Sequence, residues 1–330
     1  MAGDYPLPLP NGLHLTFGQI LSLGGDFFGY IVNGEAQEIS DDTHPPTVFN
    51  NSFNALAHDS SAPATASRIL SVMNTEAVAL QQASTSGNQP STAYADYDLD
   101  CQYNIATGGG CTSYHGYSVP YPEGTYMELA ANNWDHFGPD AITAYTTGHG
   151  VAITQAVNAA NLSDSASRLA GLQLAYAMDA FACHFLSDLF ASGHMRTPRR
   201  QLYDDATPSE AGSMLSKYMH DEDNLFGLLV TNQENNKWKA FGDSRLFDTV
   251  DSNNLAYVSA AIYSSAHEVY LAFDSKRAPS SSSYIALELV ANLSQFNNHN
   301  DHNNPPALFY YSGDDGYCRE ELTDLTNYDW

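Results

Sequence analysis

Three residues near the middle of the chain have the types and spacing of metal ligands. His184, Asp188 and His194 form the pattern H-x3-D-x5-H within a mainly apolar stretch from 168 to 200. Residues four apart share a helix face, so His184 and Asp188 would lie one turn apart. A carboxylate buried between imidazoles is costly unless a positive charge compensates it, and a zinc ion would do so. The alternative is an Asp188–His184 pair that caps a buried helix, and the spacing alone does not choose between them.

Further donors lie far from this stretch. Asp26 directly follows the segment LSLGG, His136 lies in the segment NNWDHFGPD, and His220 begins the polar run HDEDN. On a helix His220 would share a face with Asp223, three residues on, and with Asn224, four residues on. Each position has an ordinary structural alternative, because Asp26 could be a turn residue among aromatics and the run after His220 a solvated helix end.

The chemistry of these donors favours catalytic over structural zinc. Structural zinc sites mostly use cysteine, whereas sets of histidine and carboxylate are typical of catalytic zinc with an open position for water. One carboxylate can bridge two ions about 3.5–4 Å apart, which clamp both oxygens of a phosphoryl transfer. Counting one acid beside His220, the chain offers seven donors. That is too many for one tetrahedral ion and enough for two.

Most of the chain has the periodicity of helices, and these helices must position the donors. Apolar residues recur at helical spacing in several segments, and two more helical stretches flank NNWDHFGPD. The segments are 15–25, 64–83, 168–191, 209–230, 254–275 and 284–296. Between them, 84–124 and 232–250 predict long loops. We therefore expect an all-α, multi-helix domain with long loops over 1–330, in which 295–330 is an irregular extension.

Composition limits the partners. The formal net charge is −26, from 38 acidic and 12 basic residues, so binding to a nucleic-acid backbone is not expected. No stretch reaches the length of a membrane-spanning helix, and the first twelve residues lack the features of a signal peptide. Cys101 and Cys111 flank a glycine-rich loop and could form a disulfide, which would indicate an oxidising compartment. Cys183, His149, His267 and Glu268 are interpreted as structural residues.

Several motifs resemble one superfamily, which comprises the zinc-dependent phospholipases C and the fungal single-strand-specific nucleases. The pattern H-x3-D-x5-H resembles its central signature, and DHF at 135–137 resembles one of its ligand segments. LSLGGDFFG is similar to the segment that carries a ligand and the proposed general base. HFLSD, SGHMRTPR and MHDEDN are most similar to the bacterial and fungal branch that hydrolyses phosphatidylcholine. The likeness covers about 13–275.

The resemblance implies an all-α fold with two or three zinc ions in a cleft. By position it implies ligand roles for Asp26, His136, His184, Asp188, His194 and His220, with Asp188 bridging two ions. Two positions depart from the pattern. Well-studied members bind one ion through an N-terminal Trp and a nearby His, but this chain begins with Met1, and His14 lies too close to Asp26 to match. Asn224 stands where an acid is expected, so either Asp223 or Asp221 must serve beside His220, or that ion has a weaker set of ligands. We favour Asp223.

The resemblance also implies a reaction, namely hydrolysis of a phosphatidylcholine-like glycerophospholipid to diacylglycerol and a phosphorylated head group. A metal-activated hydroxide would attack phosphorus, with Asp26 and Asp188 as catalytic residues. The partner would be phospholipid at a membrane or micelle surface, and the protein would be secreted. The tyrosine-rich segment 93–126 could line a pocket for a quaternary ammonium group. The alternatives are a single-strand nuclease or 3′-nucleotidase on the same fold, and a non-catalytic metal-binding surface protein.

Overall fold

The helix that carries the central motif is packed on several sides. The computed structural model describes residues 5–41, 43–96, 98–297 and 302–329. In it, the N-cap of α7 (Ser165–Asp188) is Asp164, whose side chain accepts a hydrogen bond from the backbone N–H of Ser167. It packs against α1 (Phe17–Leu23), α6 (Gly138–Ala160) and α11 (Ser252–Ser275). This packing buries the residues at its carboxyl end, from Ala180 to Leu186.

Small residues allow α6 and α7 to approach closely. A Cβ added at Gly148 would lie 2.3 Å from the ring of Phe49 and 2.8 Å from Ala182. At Gly171 an added Cβ would lie 2.6 Å from Ala159. A larger side chain at either glycine would therefore push the helices apart, since protein interiors leave no room for an extra methyl group.

Eight further α-helices surround this group within the described residues. Phe49 and Phe53 of the second helix pack edge-to-face on Phe181 of α7. The helices are α2 (Pro45–Ala57), α3 (Ala62–Thr85), α4 (Leu99–Ala106), α5 (Thr125–Ala130), α8 (Ser192–Met195), α9 (Arg199–Asp205), α10 (Ser209–Phe226) and α12 (Ile285–Leu289), with a 3-10 turn at Trp134–His136. Helix makes up 58% of the structure, and the strands are short. The prediction of a mostly helical fold is thus confirmed.

Five two-stranded antiparallel hairpins accompany the helices in the described part of the chain. The strands are β1 (Leu7–Pro8) with β2 (His14–Leu15), β3 (Ile31–Val32) with β4 (Glu35–Ala36), β5 (Cys111–Tyr114) with β6 (Tyr117–Pro120), β7 (Leu228–Thr231) with β8 (Lys237–Ala240), and β9 (Phe309–Ser312) with β10 (Asp315–Cys318). Pairs this short depend on packing against the helices for their stability.

The segment 84–124 is more ordered than its weak periodicity predicts. It contains a 3-10 helix (Pro90–Asp96), α4 and the β5–β6 hairpin, and the Cys101–Cys111 disulfide is present. Asn104 is fully buried, and its side-chain amide donates to the carbonyls of Gly110 and Pro122. One buried amide thus orders this segment through backbone contacts, which hydrophobic periodicity cannot reveal.

Four other predicted segments also need correction. Helix α10 ends at Phe226 rather than at 230, because Gly227 has φ of +70° and the chain continues into β7. The predicted helix 284–296 is α12 followed by a 3-10 turn, and 232–250 contains β8. The extension 295–330 is not wholly irregular, since β9 and β10 pair within it and Arg319 is buried against Glu222.

Among the residues that the structure describes, one helix has the length and composition of a membrane span, which the sequence did not predict. It is α7, the core helix described above, and about half of its most apolar window is buried inside the protein. A helix packed between others passes the same test, so this finding carries no argument for membrane insertion.

Candidate metal centre

Six of the seven predicted ligands line one cavity of about 820 Å³. They come from four parts of the fold: the end of α1, the 3-10 turn before α6, the end of α7 with α8, and α10. The six are Asp26, His136, His184, Asp188, His194 and His220. The cavity therefore brings together residues separated by almost two hundred positions, as the metal interpretation requires.

Four of these residues form the first cluster. Nδ1 of His136 lies 2.9 Å from Oδ2 of Asp188 and 3.1 Å from Nε2 of His184. Asp26 completes the group, with its carboxylate 4.0 Å from Nδ1 of His136 and 3.8 Å from Nε2 of His184. Donors around a tetrahedral zinc ion would be about 3.3 Å apart, given zinc–nitrogen bonds of about 2.0–2.1 Å. The observed distances lie on both sides of that value.

Gly25 makes this close approach possible. Its φ is +68°, a conformation that L-residues rarely adopt, and an added Cβ would lie 2.4 Å from Cδ2 of His184. The same Cβ would lie 2.8 Å from Cε1 of His136. The glycine after α1 therefore both turns the chain towards Asp26 and leaves space for two imidazoles.

His194 and His220 form the second cluster, on α8 and α10. Their Nε2 atoms face each other at 3.1 Å. Nδ1 of His194 donates to the backbone carbonyl of His136, and Nδ1 of His220 donates to the carboxylate of Asp221. Because Nδ1 carries the hydrogen in both neutral rings, both Nε2 atoms are acceptors. A proton or a cation between the two acceptors would relieve their repulsion.

The same arrangement occurs at His184, whose Nδ1 donates to the backbone carbonyl of Leu21 at 3.1 Å. Metal-binding histidines usually donate their second ring N–H to a carbonyl or carboxylate, which fixes the tautomer and directs the other nitrogen to the metal. His184, His194 and His220 all meet this condition. The donors of the first cluster therefore fit a metal ion, and His194 and His220 supply two further nitrogens oriented in the same way.

Asp223 does not belong to the second cluster, and that prediction is corrected. Its two carboxylate oxygens accept hydrogen bonds from Arg196 at 2.6 and 2.9 Å, in a pair that is almost fully buried. Asn224 takes the position beside the histidines instead, with Nδ2 3.0 Å from Nε2 of His220 and Oδ1 accepting from the N–H of Gly193. The reason is helical geometry, because residue 224 lies one turn after His220 and on the same face.

The charges of the first cluster shift two pKa values. Burial alone would raise the pKa of Asp188, but the surrounding His184, His194 and His136 outweigh it and lower the value to about 2. Burial opposes protonation of His136, yet the hydrogen bond and negative charge of Asp188 raise its pKa above the ordinary value. The cluster thus favours the ionised form of Asp188, whose negative charge is balanced by neighbouring positive charge.

A second layer of polar groups holds His136 in place. The backbone N–H of Asp135 donates to Glu38 at 2.9 Å, and the carboxylate of Asp135 accepts from the N–H groups of Ile39 and Ser40. Burial raises the pKa of Glu38 well above its ordinary range, and the neighbouring Asp135 raises it further. This contact ties the 3-10 turn to the β4 region, so the ring of His136 enters the cavity from a fixed backbone.

The position for a third ion is not supported by the described residues. His14 is exposed, lies in β2 and is absent from the lining of the cavity, and Met1 lies outside the described residues. Gly25 is the residue of the site that the donor pattern missed, and the paired glycines after α1 were the signal that could have indicated it. Asn224 was placed on the same face as His220 but was not counted as a ligand.

Comparisons with known proteins add no relative. No protein-family model matches the chain, and no curated protein or solved structure is significantly similar to it. The donor geometry described above therefore carries the functional argument.

Proposed function

We propose that this protein is a zinc-dependent phosphodiesterase of the phospholipase C type, which hydrolyses phosphatidylcholine-like lipids to diacylglycerol and a phosphorylated head group. The observation that carries the proposal is the pair of adjacent clusters in one open cavity. Asp26, His136, His184 and Asp188 form one cluster, and His194 and His220 form the other.

The two clusters differ in their number of donors. Asp26, His136, His184 and Asp188 would hold the first ion, whereas His194 and His220 would hold the second, with Asp188 as the proposed bridge. Two zinc ions bound there would lower the pKa of water and stabilise the charge that develops on the phosphate oxygens. Because the second cluster has an amide rather than an acid as its third group, we expect the first ion to bind more tightly.

Asp26 is the proposed general base. Its side chain is 43% exposed, compared with 12% for Asp188, so its carboxylate can reach a water molecule in the cavity. Asp188 is enclosed by three imidazoles and serves to compensate positive charge. Accepting a proton in the transition state requires a carboxylate within hydrogen-bond reach of that water.

Three aromatic rings pack against one another on the same cavity and form what we propose as a head-group box for a quaternary ammonium. Phe27 lies 4.9 Å from Tyr103 and 5.5 Å from Tyr126, measured between ring centroids, and all three rings line the cavity. Glu76 lines it too, and its carboxylate accepts from the hydroxyls of Tyr94 and Tyr103. Aromatic faces and one carboxylate attract a cation such as choline, which supports the proposed head group.

The tyrosine-rich segment thus contributes to this box only in part. Tyr103 and Tyr126 line the cavity, whereas Tyr114, Tyr117 and Tyr121 are more than 60% exposed on or beside the β5–β6 hairpin and are not part of the lining. The cavity also has apolar lining for the glycerol and acyl portions. That lining includes Met73, Leu80, Leu99, Met214, Leu246 and Phe247.

The proposed reaction fits a lipid surface and a secreted location. A disulfide between Cys101 and Cys111 supports an oxidising compartment. The net charge of −26 disfavours the phosphate backbone of single-stranded DNA, which a nuclease would have to bind.

One set of assays tests the proposal. The zinc-loaded protein should hydrolyse short-chain phosphatidylcholine, lose the activity on chelation and regain it when zinc is restored. Cleavage of single-stranded DNA without lipid hydrolysis would replace the proposal with the nuclease alternative. Zinc binding that changes stability without cleavage of either substrate would indicate a non-catalytic metal-binding protein.

The head-group box has a separate test. The substitution Glu76→Gln removes the negative charge and keeps the shape of the side chain. We expect it to reduce the preference for choline over ethanolamine lipids, read from kcat/KM, by about tenfold, since a cation beside a partly desolvated carboxylate and aromatic faces gains about 1–2 kcal/mol. An unchanged preference would refute the assignment of this box.

A further inference from the structure

A buried ion pair links the two segments that carry the second cluster. Arg196 follows His194 by two residues, and Asp223 follows His220 by three. Nε of Arg196 donates to Oδ2 of Asp223 at 2.9 Å, and a terminal nitrogen donates to Oδ1 at 2.6 Å. Only 9% of the Arg196 side chain and 4% of the Asp223 side chain are exposed. The contact is bidentate, so it fixes both distance and orientation.

Neighbouring contacts strengthen this link. The hydroxyl of Ser192 donates to the backbone carbonyl of Asp223 at 2.7 Å, and Gly193 donates to Asn224 at 2.6 Å. A Cβ added at Gly193 would lie 2.5 Å from the backbone carbonyl oxygen of His220. The short helix α8 is therefore held directly against α10, at the place where Nε2 of His194 meets Nε2 of His220.

We propose that the Arg196–Asp223 ion pair positions His194 opposite His220 and thereby sets the affinity of the second metal position. This inference rests on the proposed two-metal site. Arg196 and Asp223 are positioning residues, because their charged groups bind each other and do not line the cavity that holds the six donors. Removal of either partner leaves a buried charge uncompensated, and the segments would then separate or rotate to hydrate it.

The same helix supplies a matched control. Glu222, next to Asp223, accepts from two terminal nitrogens of Arg319 at 3.0 and 2.8 Å, and Arg319 is buried. That pair ties α10 to the carboxyl-terminal segment. The charge of Glu222 also acts on Arg196, but the hydrogen-bonded partner of Arg196 on α10 is Asp223. Glu222→Gln therefore removes a bidentate ion pair of α10 without loosening α8.

The experiment measures the binding of Co²⁺ to the full chain after removal of metal with a chelator. Visible absorption reports the ligand field of each bound ion, and competition with a chelator gives both affinities. We expect Asp223→Asn and Arg196→Met to weaken the second ion about 10–100-fold, the usual effect of removing a group that orients a ligand. The first ion should keep its affinity and spectrum in both variants. Glu222→Gln should change the second affinity less than about threefold.

Arg196→Met separates positioning from ligation. If Asp223 itself binds the metal, removal of Arg196 would free its carboxylate and the second ion would bind as tightly or more tightly. That outcome, or an equal loss in Glu222→Gln, would overturn the proposal.

Folding is checked by circular dichroism of the metal-free variants. Should Asp223→Asn or Arg196→Met fail to fold, Arg196→Lys carries the test, because lysine keeps the charge but cannot make the bidentate contact. We expect Arg196→Lys to weaken the binding of the second ion by less than Arg196→Met does, and an affinity for the second ion equal to that of the unaltered chain would overturn the proposal.

If the unaltered chain itself binds no second ion, the two-metal function fails and this inference fails with it. A second ion that binds with unchanged affinity in the unaltered chain and in every variant would refute the inference alone.

Discussion

Oδ2 of Asp188 lies 2.9 Å from Nδ1 of His136, across 52 residues of sequence. The same oxygen lies 3.8 Å from Nε2 of His184, one turn earlier on α7. Asp188 thus contacts a histidine of its own helix and one of the 3-10 turn before α6. The helix carries the carboxylate to a place where imidazoles from two elements meet.

The first prediction follows from this position. Asp188→Asn should lower the zinc content of the first cluster and reduce lipid hydrolysis about a thousandfold or more, because an amide neither compensates positive charge nor bridges ions. Metal content per chain and kcat/KM would measure the effect. Asp164→Asn is the control at the other end of α7, since asparagine is as good an N-cap as aspartate. Full zinc content in Asp188→Asn would contradict the assignment.

A second prediction concerns Asn224, which stands where an acid would complete the second cluster. Asn224→Asp keeps an acceptor for the N–H of Gly193 and adds a carboxylate beside Nε2 of His220. We expect the affinity of the second ion to rise about tenfold, since a negatively charged carboxylate binds zinc more tightly than a neutral amide. Chelator competition measures it. Asn50→Asp on α2 adds the same charge away from the cavity, and an equal gain there would show that only net charge matters.

The third prediction compares two glycines with positive φ, of which one lies against the metal centre and the other does not. Gly25 and Gly12 both have positive φ, +68° and +90°, but only Gly25 would place a Cβ against the histidines. Gly25→Ala and Gly12→Ala should each lose about 1–2 kcal/mol from the backbone conformation. Gly25→Ala alone should also weaken the first ion. Urea unfolding and metal titration of both variants separate these effects, and equal metal affinities would count against the described geometry.

The fourth prediction concerns His149, which is buried away from the metal centre as its structural interpretation predicted. Nδ1 of His149 lies 2.7 Å from Asp179, and Nε2 lies 3.4 Å from Glu268. Burial lowers the pKa of His149, but Asp179 and Glu268 outweigh it and raise the value to about 9. Four further side chains face this group from the surrounding helices: Tyr145, Cys183, Ser265 and Tyr284.

The direction of the pH dependence follows from the raised pKa. The folded chain binds this proton more tightly than the unfolded chain, so the stabilisation is complete below about pH 6.5 and is lost as pH rises through about 9. The loss should be on the order of 3 kcal/mol. Urea unfolding in chelator at several pH values would measure it, and His149→Gln should remove this component. The same slope in the variant would assign the pH dependence to another group.

Much of the fold could be predicted from local patterns. Thr16 caps α1 and makes the reciprocal contact with Gln19, and the periodicity of α3, α7 and α11 gave their positions to within a few residues. The predicted end of α10 was wrong. Leu229 and Val230 continue its apolar pattern, but they belong to β7, which follows the positive-φ residue Gly227. Periodicity alone cannot separate a helix end from a short strand that follows it.

The sequence by itself determined which residue types could bind metal, that the chain is mostly helical, and that His184 and Asp188 share a helix face, because these depend on chemistry and on neighbours along the chain. Tertiary structure alone decided which acid is committed elsewhere. Asp223 and Asn224 are adjacent, yet one pairs with Arg196 in the interior and the other contacts His220. A buried carboxylate needs a compensating charge, and the fold determines where that charge lies.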